Sequence, residues 1–204
     1  MTKINGLHFQ PWVGDKYTKE RILLIGESHY IEEEPDEEDD FSKGYDTLTR
    51  DMVCKFHLEG KKIKSPFYKN TGLLFYPHDC IKVWKEVAFA NAMQIGLPYA
   101  SSQPHKDAIE TIAPAFTLLL DHLKPRKVIV LSKRMFYKWI PENNGEHITP
   151  LQENGKKTNV WKYTYKGGAC LAMGIAHPSR LRSSSLAAWN AVIKAFLSMK
   201  LSGK

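Results

Sequence analysis

A carboxylate, a hydroxyl and an imidazole stand side by side at Glu27, Ser28 and His29, and a second imidazole, His177, is followed by Pro178, Ser179, Arg180 and Leu181. Each group leaves a short apolar run, Ile22 to Ile25 closed by Gly26 in the first case and Ala169 to Ile175 in the second. Runs of this kind are expected of strands buried on both faces of a parallel sheet. Ligands of open α/β sheets bind in the crevice beyond the carboxyl ends of the strands. The two groups would therefore meet as acid–base machinery, with a carboxylate to orient water and an imidazole to exchange a proton near neutral pH. His29 could replace or assist Glu27 as the base. The competing reading of each stretch is a polar loop leaving a strand. Asn91 ends a third candidate strand, Val87 to Met93. Its amide offers both a donor and an acceptor, the pattern needed to read one edge of a nucleobase. The alternative is an asparagine bonded to backbone at a strand end.

The elements that must position these groups can be taken in chain order. Residues 1–20 read as an irregular approach, broken by Pro11 and Gly14. The block I-E-E-E-P-D-E-E-D-D repels itself, so 31–44 is expected to be a mobile acidic insert, or a phosphate mimic lying over a basic surface. Tyr45 to Leu58 has helical spacing, with Leu48, Met52, Val53 and Phe56 inward. Gly60 to Lys64 is a basic turn, and Ser65 to Pro77 reads as an aromatic-rich connection carrying Phe67, Tyr68, Phe75 and Tyr76. Such aromatics can stack on a base or cover the core. A helix is expected from Asp79 to Glu86 and a loop from Pro98 to Pro104. A long helix over Asp107 to Leu123 should kink or break at Pro114. Lys127 to Leu131 is a strand, and Ser132 caps a short helix reaching Ile140. Pro141 to Lys157 reads as a variable loop, and Val160 to Tyr165 forms a hairpin with Ala169 to Ile175 about Lys166, Gly167 and Gly168. Ser184 to Met199 closes the chain as a helix with Leu186, Trp189, Val192, Ile193 and Phe196 inward. Strands alternating with helices predict an α/β fold, a three-layer sandwich about a mostly parallel central sheet of four strands.

The 204 residues suit one domain, 1–204. Cys54, Cys80 and Cys170 are widely spaced with no C-x-x-C pair, which argues against a zinc or iron–sulfur site and against a disulfide framework; no metal and no cofactor are expected. That usage, with no signal pattern and no apolar run of membrane-spanning length, predicts a cytoplasmic protein away from membranes. The net charge is +7, yet Glu32 to Asp40 holds eight of the 22 acids. Without that segment, 29 basic residues face 14 acidic ones, a net of +15. A body this basic, with five Trp and nine Tyr, fits a polyanion partner as well as a lysine-rich soluble surface. We expect a monomer that meets DNA, single- or double-stranded.

Four stretches together resemble the uracil-DNA glycosylase superfamily: G-E-S-H-Y after the first strand, F-A-N-A-M about Asn91, L-K-P-R-K-V-I-V-L before Ser132, and H-P-S-R-L from His177. They stand in the superfamily's order and cover roughly residues 20–200. The resemblance implies a doubly wound sandwich whose crevice takes a base flipped out of DNA. It implies that Glu27 orients a water or stabilises the cationic sugar, and that His177 donates to the departing base. Asn91 would bond the base edge, an aromatic such as Phe75 would stack on it, with Phe67, Tyr68 and Tyr76 as competitors for that role, and Ser28 and His29 would join them in the base pocket. Ser179 and Arg180 would meet DNA, with Leu181 as the apolar wedge filling the vacated stack. Ser28 and His29 stand where members usually carry Ala or Asp and then Pro, and Ser132 replaces a common glycine. A non-catalytic nucleic-acid-binding module on the same fold, or a hydrolase of a small nucleoside or nucleotide with the insert as a lid, are the other readings.

Overall fold

In a computed structural model, which describes residues 3–31, 45–58, 65–98, 103–140 and 145–201, the chain is an α/β protein built on a seven-stranded mixed sheet. The elements run β1 (Trp12–Val13), α1 (Tyr17–Glu20), β2 (Ile22–Gly26), α2 (Leu48–Leu58), α3 (Pro66–Phe75), β3 (Val87–Asn91), α4 (Lys106–Glu110), α5 (Ile112–Leu123) and β4 (Lys127–Val130). There follow α6 (Lys133–Lys138), β5 (Gly145–Glu153), β6 (Lys156–Tyr165), β7 (Gly168–Gly174) and α7 (Ser183–Ser198). Single 3₁₀ turns occupy Lys82–Lys85 and Pro178–Arg180. The sheet order is β1-β3-β2-β4-β7-β6-β5.

The four strands β3, β2, β4 and β7 are mutually parallel, and β1, β6 and β5 extend the sheet antiparallel at its two edges. The expected parallel sheet of four strands is thus only the centre of a wider mixed one. The alternation of side chains along the parallel strands divides the core in two. Leu23, Ile25, Ala88, Ala90, Val128 and Val130 face one layer with Phe116, Leu119 and Leu120 of α5 and Met135 of α6. Leu24, Phe89, Ile129, Leu131 and Met173 face the other, with Val53 of α2, Leu74 of α3 and Trp189, Ile193 and Phe196 of α7. Every residue of β2, β3 and β4 is buried, which is why these strands are continuous apolar runs. Lys127 is the exception in type. Its ammonium donates to the Phe196 carbonyl at 2.7 Å and to that of Met199, satisfying the end of α7, and burial lowers its pKa to about 8.

Several expectations need correction. Ser65 to Pro77 is largely the helix α3, with Ser65 before it and Pro66 in its first turn, where a missing N–H costs nothing. Asp79 to Glu86 holds only the 3₁₀ turn. The 107–123 helix breaks at Thr111, not at Pro114. Pro114 is the third residue of α5, inside the first turn, whose N–H groups have no intrahelical acceptor. Thr111 fixes the break, since its hydroxyl donates to the Ala108 carbonyl at 2.6 Å and accepts from the Gln94 amide at 2.9 Å. The 141–157 stretch contains β5 and the turn into β6. The approach at 1–20 contributes β1 and α1. Ser132 does cap α6, accepting from the Met135 amide at 3.2 Å. The insert at 32–44, the side chain of Phe56, the turn at 60–64 and residues 99–102 lie outside the described residues. No described helix is long and apolar enough to cross a membrane.

Candidate functional site

The parallel register makes the site. Gly26 ends β2 opposite Asn91, the last residue of β3, while Val130 of β4 pairs with Gly174 of β7. All four strands therefore finish on one edge, and the residues that follow them surround a cavity of about 670 Å³. That volume falls within the ~300–1,000 Å³ usual for small-molecule sites. Glu27, Ser28 and His29 leave β2, Asn91 ends β3, Ser132 to Arg134 follow β4, and His177 to Leu181 follow β7; all of these except Pro178 line the cavity.

Asn91 lies over the β2 backbone, its Oδ1 occupying the space that any side chain at position 26 would need. Gly26 is required by that close approach. Asn91 is 4% exposed, and among the described residues its side-chain amide makes no hydrogen bond, so donor and acceptor remain for a ligand. Glu27 is 9% exposed and its Oε1 accepts from the Arg134 guanidinium, forming an ion pair. Arg134 is held in turn by Gln103 Oε1, at 3.2 Å, and by the face of Trp139, 4.9 Å away. Among the described residues the buried Ser28 hydroxyl has no hydrogen-bond partner.

His177 packs against Phe67, ring centroids 5.3 Å apart, and its Nδ1 meets the Ser179 hydroxyl at 2.7 Å. When Ser179 donates in that bond, the ring proton sits on Nε2, which makes Nε2 a donor. Burial lowers the His177 pKa below 6.5, opposed by the nearby charge of Glu27 and aided by Arg180 and Arg134. Its neutral form is thereby favoured. The loop that carries it is clamped from α3, where Asn70 Nδ2 donates to the carbonyls of Pro178, at 2.8 Å, and Leu181, at 3.3 Å.

His29 is oriented differently. Its Nε2 is 2.8 Å from the Thr49 hydroxyl of α2, its ring meets Phe9 edge-on at 4.8 Å, and burial lowers its pKa to about 4. It lines the cavity and ties α2 to the end of β2. Phe75 is not in the cavity lining. It lies eight residues beyond Phe67 on α3, about 12 Å along the axis, and packs on the second core. Phe67, Tyr68 and Phe89 all line the cavity, the Phe67 ring 5.2 Å from that of Tyr68 and 5.9 Å from that of Phe89. Ser179 and Arg180 are exposed at the cavity mouth, whereas Leu181 is half-buried and packs on the second core. Arg134 and Asn70 carry no signature that sequence reasoning could have caught. Phe67 stood among the four candidate aromatics of the 65–77 stretch, and Ser65–Pro66, which opens a helix, was the clue that could have singled it out.

Among the described residues no three His, Cys, Asp or Glu side chains converge to hold a metal ion. Scanned against models of protein families and searched against curated proteins, the chain matches none.

Proposed function

We propose that the protein is an N-glycosylase of the uracil-DNA glycosylase type, which hydrolyses the bond between a damaged or deaminated base and deoxyribose. The observation that carries this reading is the meeting of an ion-paired carboxylate, an unpartnered amide, an aromatic face and a neutral imidazole in one cavity beyond the strand ends. The base enters against Phe67, and Asn91 bonds its polar edge. As the glycosidic bond lengthens, negative charge grows on the base and His177 Nε2–H donates to it. This hydrogen bond is worth more in the transition state than in the ground state. Glu27 faces the sugar, stabilising its developing positive charge and orienting the water that adds to the anomeric carbon. The products are free base and an abasic sugar, with the water's proton balancing the base anion. Arg134 holds Glu27 in place, and Arg180, with Arg182 beyond it, gives the mouth a positive rim suited to phosphates.

The size of the cavity supports a second reading, a hydrolase of a free nucleoside or nucleotide, because a volume of about 670 Å³ accommodates more than a base. Product analysis separates the two. Oligonucleotides carrying uracil, hypoxanthine or xanthine, and the corresponding free deoxynucleosides, are incubated with purified protein and released base is quantified. Base release from oligonucleotides is expected. Release only from the free nucleosides would transfer the assignment to the second reading, and release from neither would end both.

A further inference from the structure

The β5–β6 hairpin is absent from the expected four-stranded sheet, and its tip falls beside the cavity. Val160 of β6 pairs with Met173 of β7, and the Thr158 hydroxyl donates to the Gly174 carbonyl at 2.7 Å. The β6 residues before Val160 therefore lie toward the end of β7 that His177 follows. The turn itself is Asn154–Gly155, both at positive φ, 46° and 70°, between the register partners Glu153 and Lys156. Two central residues of positive φ make a tight turn whose twist matches the flanking strands. Among the described residues nothing lies within 4 Å of where a Gly155 side chain would start, so the tip stands open toward them.

The hairpin is also fastened to the wall of the cavity. Lys133 Nζ donates to the Lys157 carbonyl at 2.7 Å, and the Asn159 amide donates to the Tyr137 hydroxyl at 3.1 Å, which locks the first residues of β6 to α6. Lys133 and Arg134, at the start of α6, line the cavity. Among the described residues neither Lys156 nor Lys157 forms an ion pair, although Glu153 is close in register. The other carboxylate of the hairpin, Glu146, is engaged with Lys162 further along the ribbon. Lys156, half-buried, and Lys157, exposed, alternate in direction along β6 and put an ammonium group on each face of the open tip, at the sheet end where the cavity lies, an electrostatic contact for a chain of phosphates that passes the cavity mouth.

We propose that the β5–β6 tip is a second DNA contact, in which Lys156 and Lys157 hold backbone phosphates flanking the nucleotide whose base enters the cavity. This rests on the DNA reading of the site, and it adds a surface that neither the cavity nor the loop after His177 provides. Because phosphate contacts release counterions, the slope of log affinity against log salt counts them, about 0.9 per phosphate on duplex and about 0.7 on single strands. Binding of the full chain to a fluorescent oligonucleotide without a target base is measured across salt. The variants are Lys156→Gln with Lys157→Gln, and a charge-matched control, Lys162→Gln with Lys166→Gln, toward the opposite end of β6. The tip variant is expected to lower the slope by about 1.4 on single-stranded DNA, and the control to leave it unchanged. Base release from a bound oligonucleotide at saturation is expected to be unaffected by either. Equal slopes for all proteins, or equal losses in both variants, would overturn the tip contact while leaving the glycosylase reading in place. Failure of the unsubstituted protein to bind DNA would overturn both.

Discussion

His29 stands two residues from Glu27 and has a different role. Its ring is neutral and buried between Thr49 and Phe9, with its pKa lowered to about 4, whereas an unfolded chain would titrate it near 6.5. The unfolded state therefore binds the extra proton first. The stability this residue protects is complete above about pH 6.5 and is lost as pH falls toward about 4, by about 3 kcal/mol. Urea unfolding midpoints should fall over that window in the wild type, and much less in His29→Gln; parallel curves would show that His29 does not carry the dependence. Glu27, Asn91 and His177 were legible in the sequence because each directly follows or ends an apolar strand, where side chains must reach the sheet edge. Arg134 was not, because its pairing with Glu27 bridges residues that are far apart in the chain and meet only when β4 lies beside β2. Phe67 was legible only as one of four candidate stacking aromatics with Tyr68, Phe75 and Tyr76, because the 65–77 stretch reads as a connection and the helix that separates Phe67 from Phe75 leaves no signal there.

At the scale of elements, α3 links the core to the chemistry. Its inner face is buried through Tyr68 and Leu74, while Asn70 reaches across to hold the loop that carries His177. Asn70→Ala should cost about 1–2 kcal/mol of stability for the lost bonds. Because the loop would then wander, it should lower kcat for base release more than it raises KM. A stability loss with kcat intact would reduce Asn70 to a structural residue. The strands β2, β3 and β4 could be read from composition because both their faces are buried. The strand β5 could not. It is an edge strand exposed along most of its length, with Pro150 within it and a register shift between His147 and Thr149 that spoils the period-two pattern. Both features are ones that sheet edges tolerate.

At the scale of the molecule, the parallel centre and the antiparallel additions have separate tasks. The centre brings four strand ends together to make the cavity, and on the proposed DNA reading the β5–β6 ribbon adds a contact for the backbone. The α/β class followed from alternating strands and helices, whereas the width of the sheet depended on edge strands with little apolar signal. The central claim is that Glu27 and His177 act on one glycosidic bond from opposite sides. Single-turnover base release from a uracil-containing single-stranded oligonucleotide tests it most directly, comparing wild type with Glu27→Gln and His177→Ala. The account predicts that each substitution slows release by about 10²–10⁴-fold while the oligonucleotide still binds. Wild-type rates in either variant would contradict it.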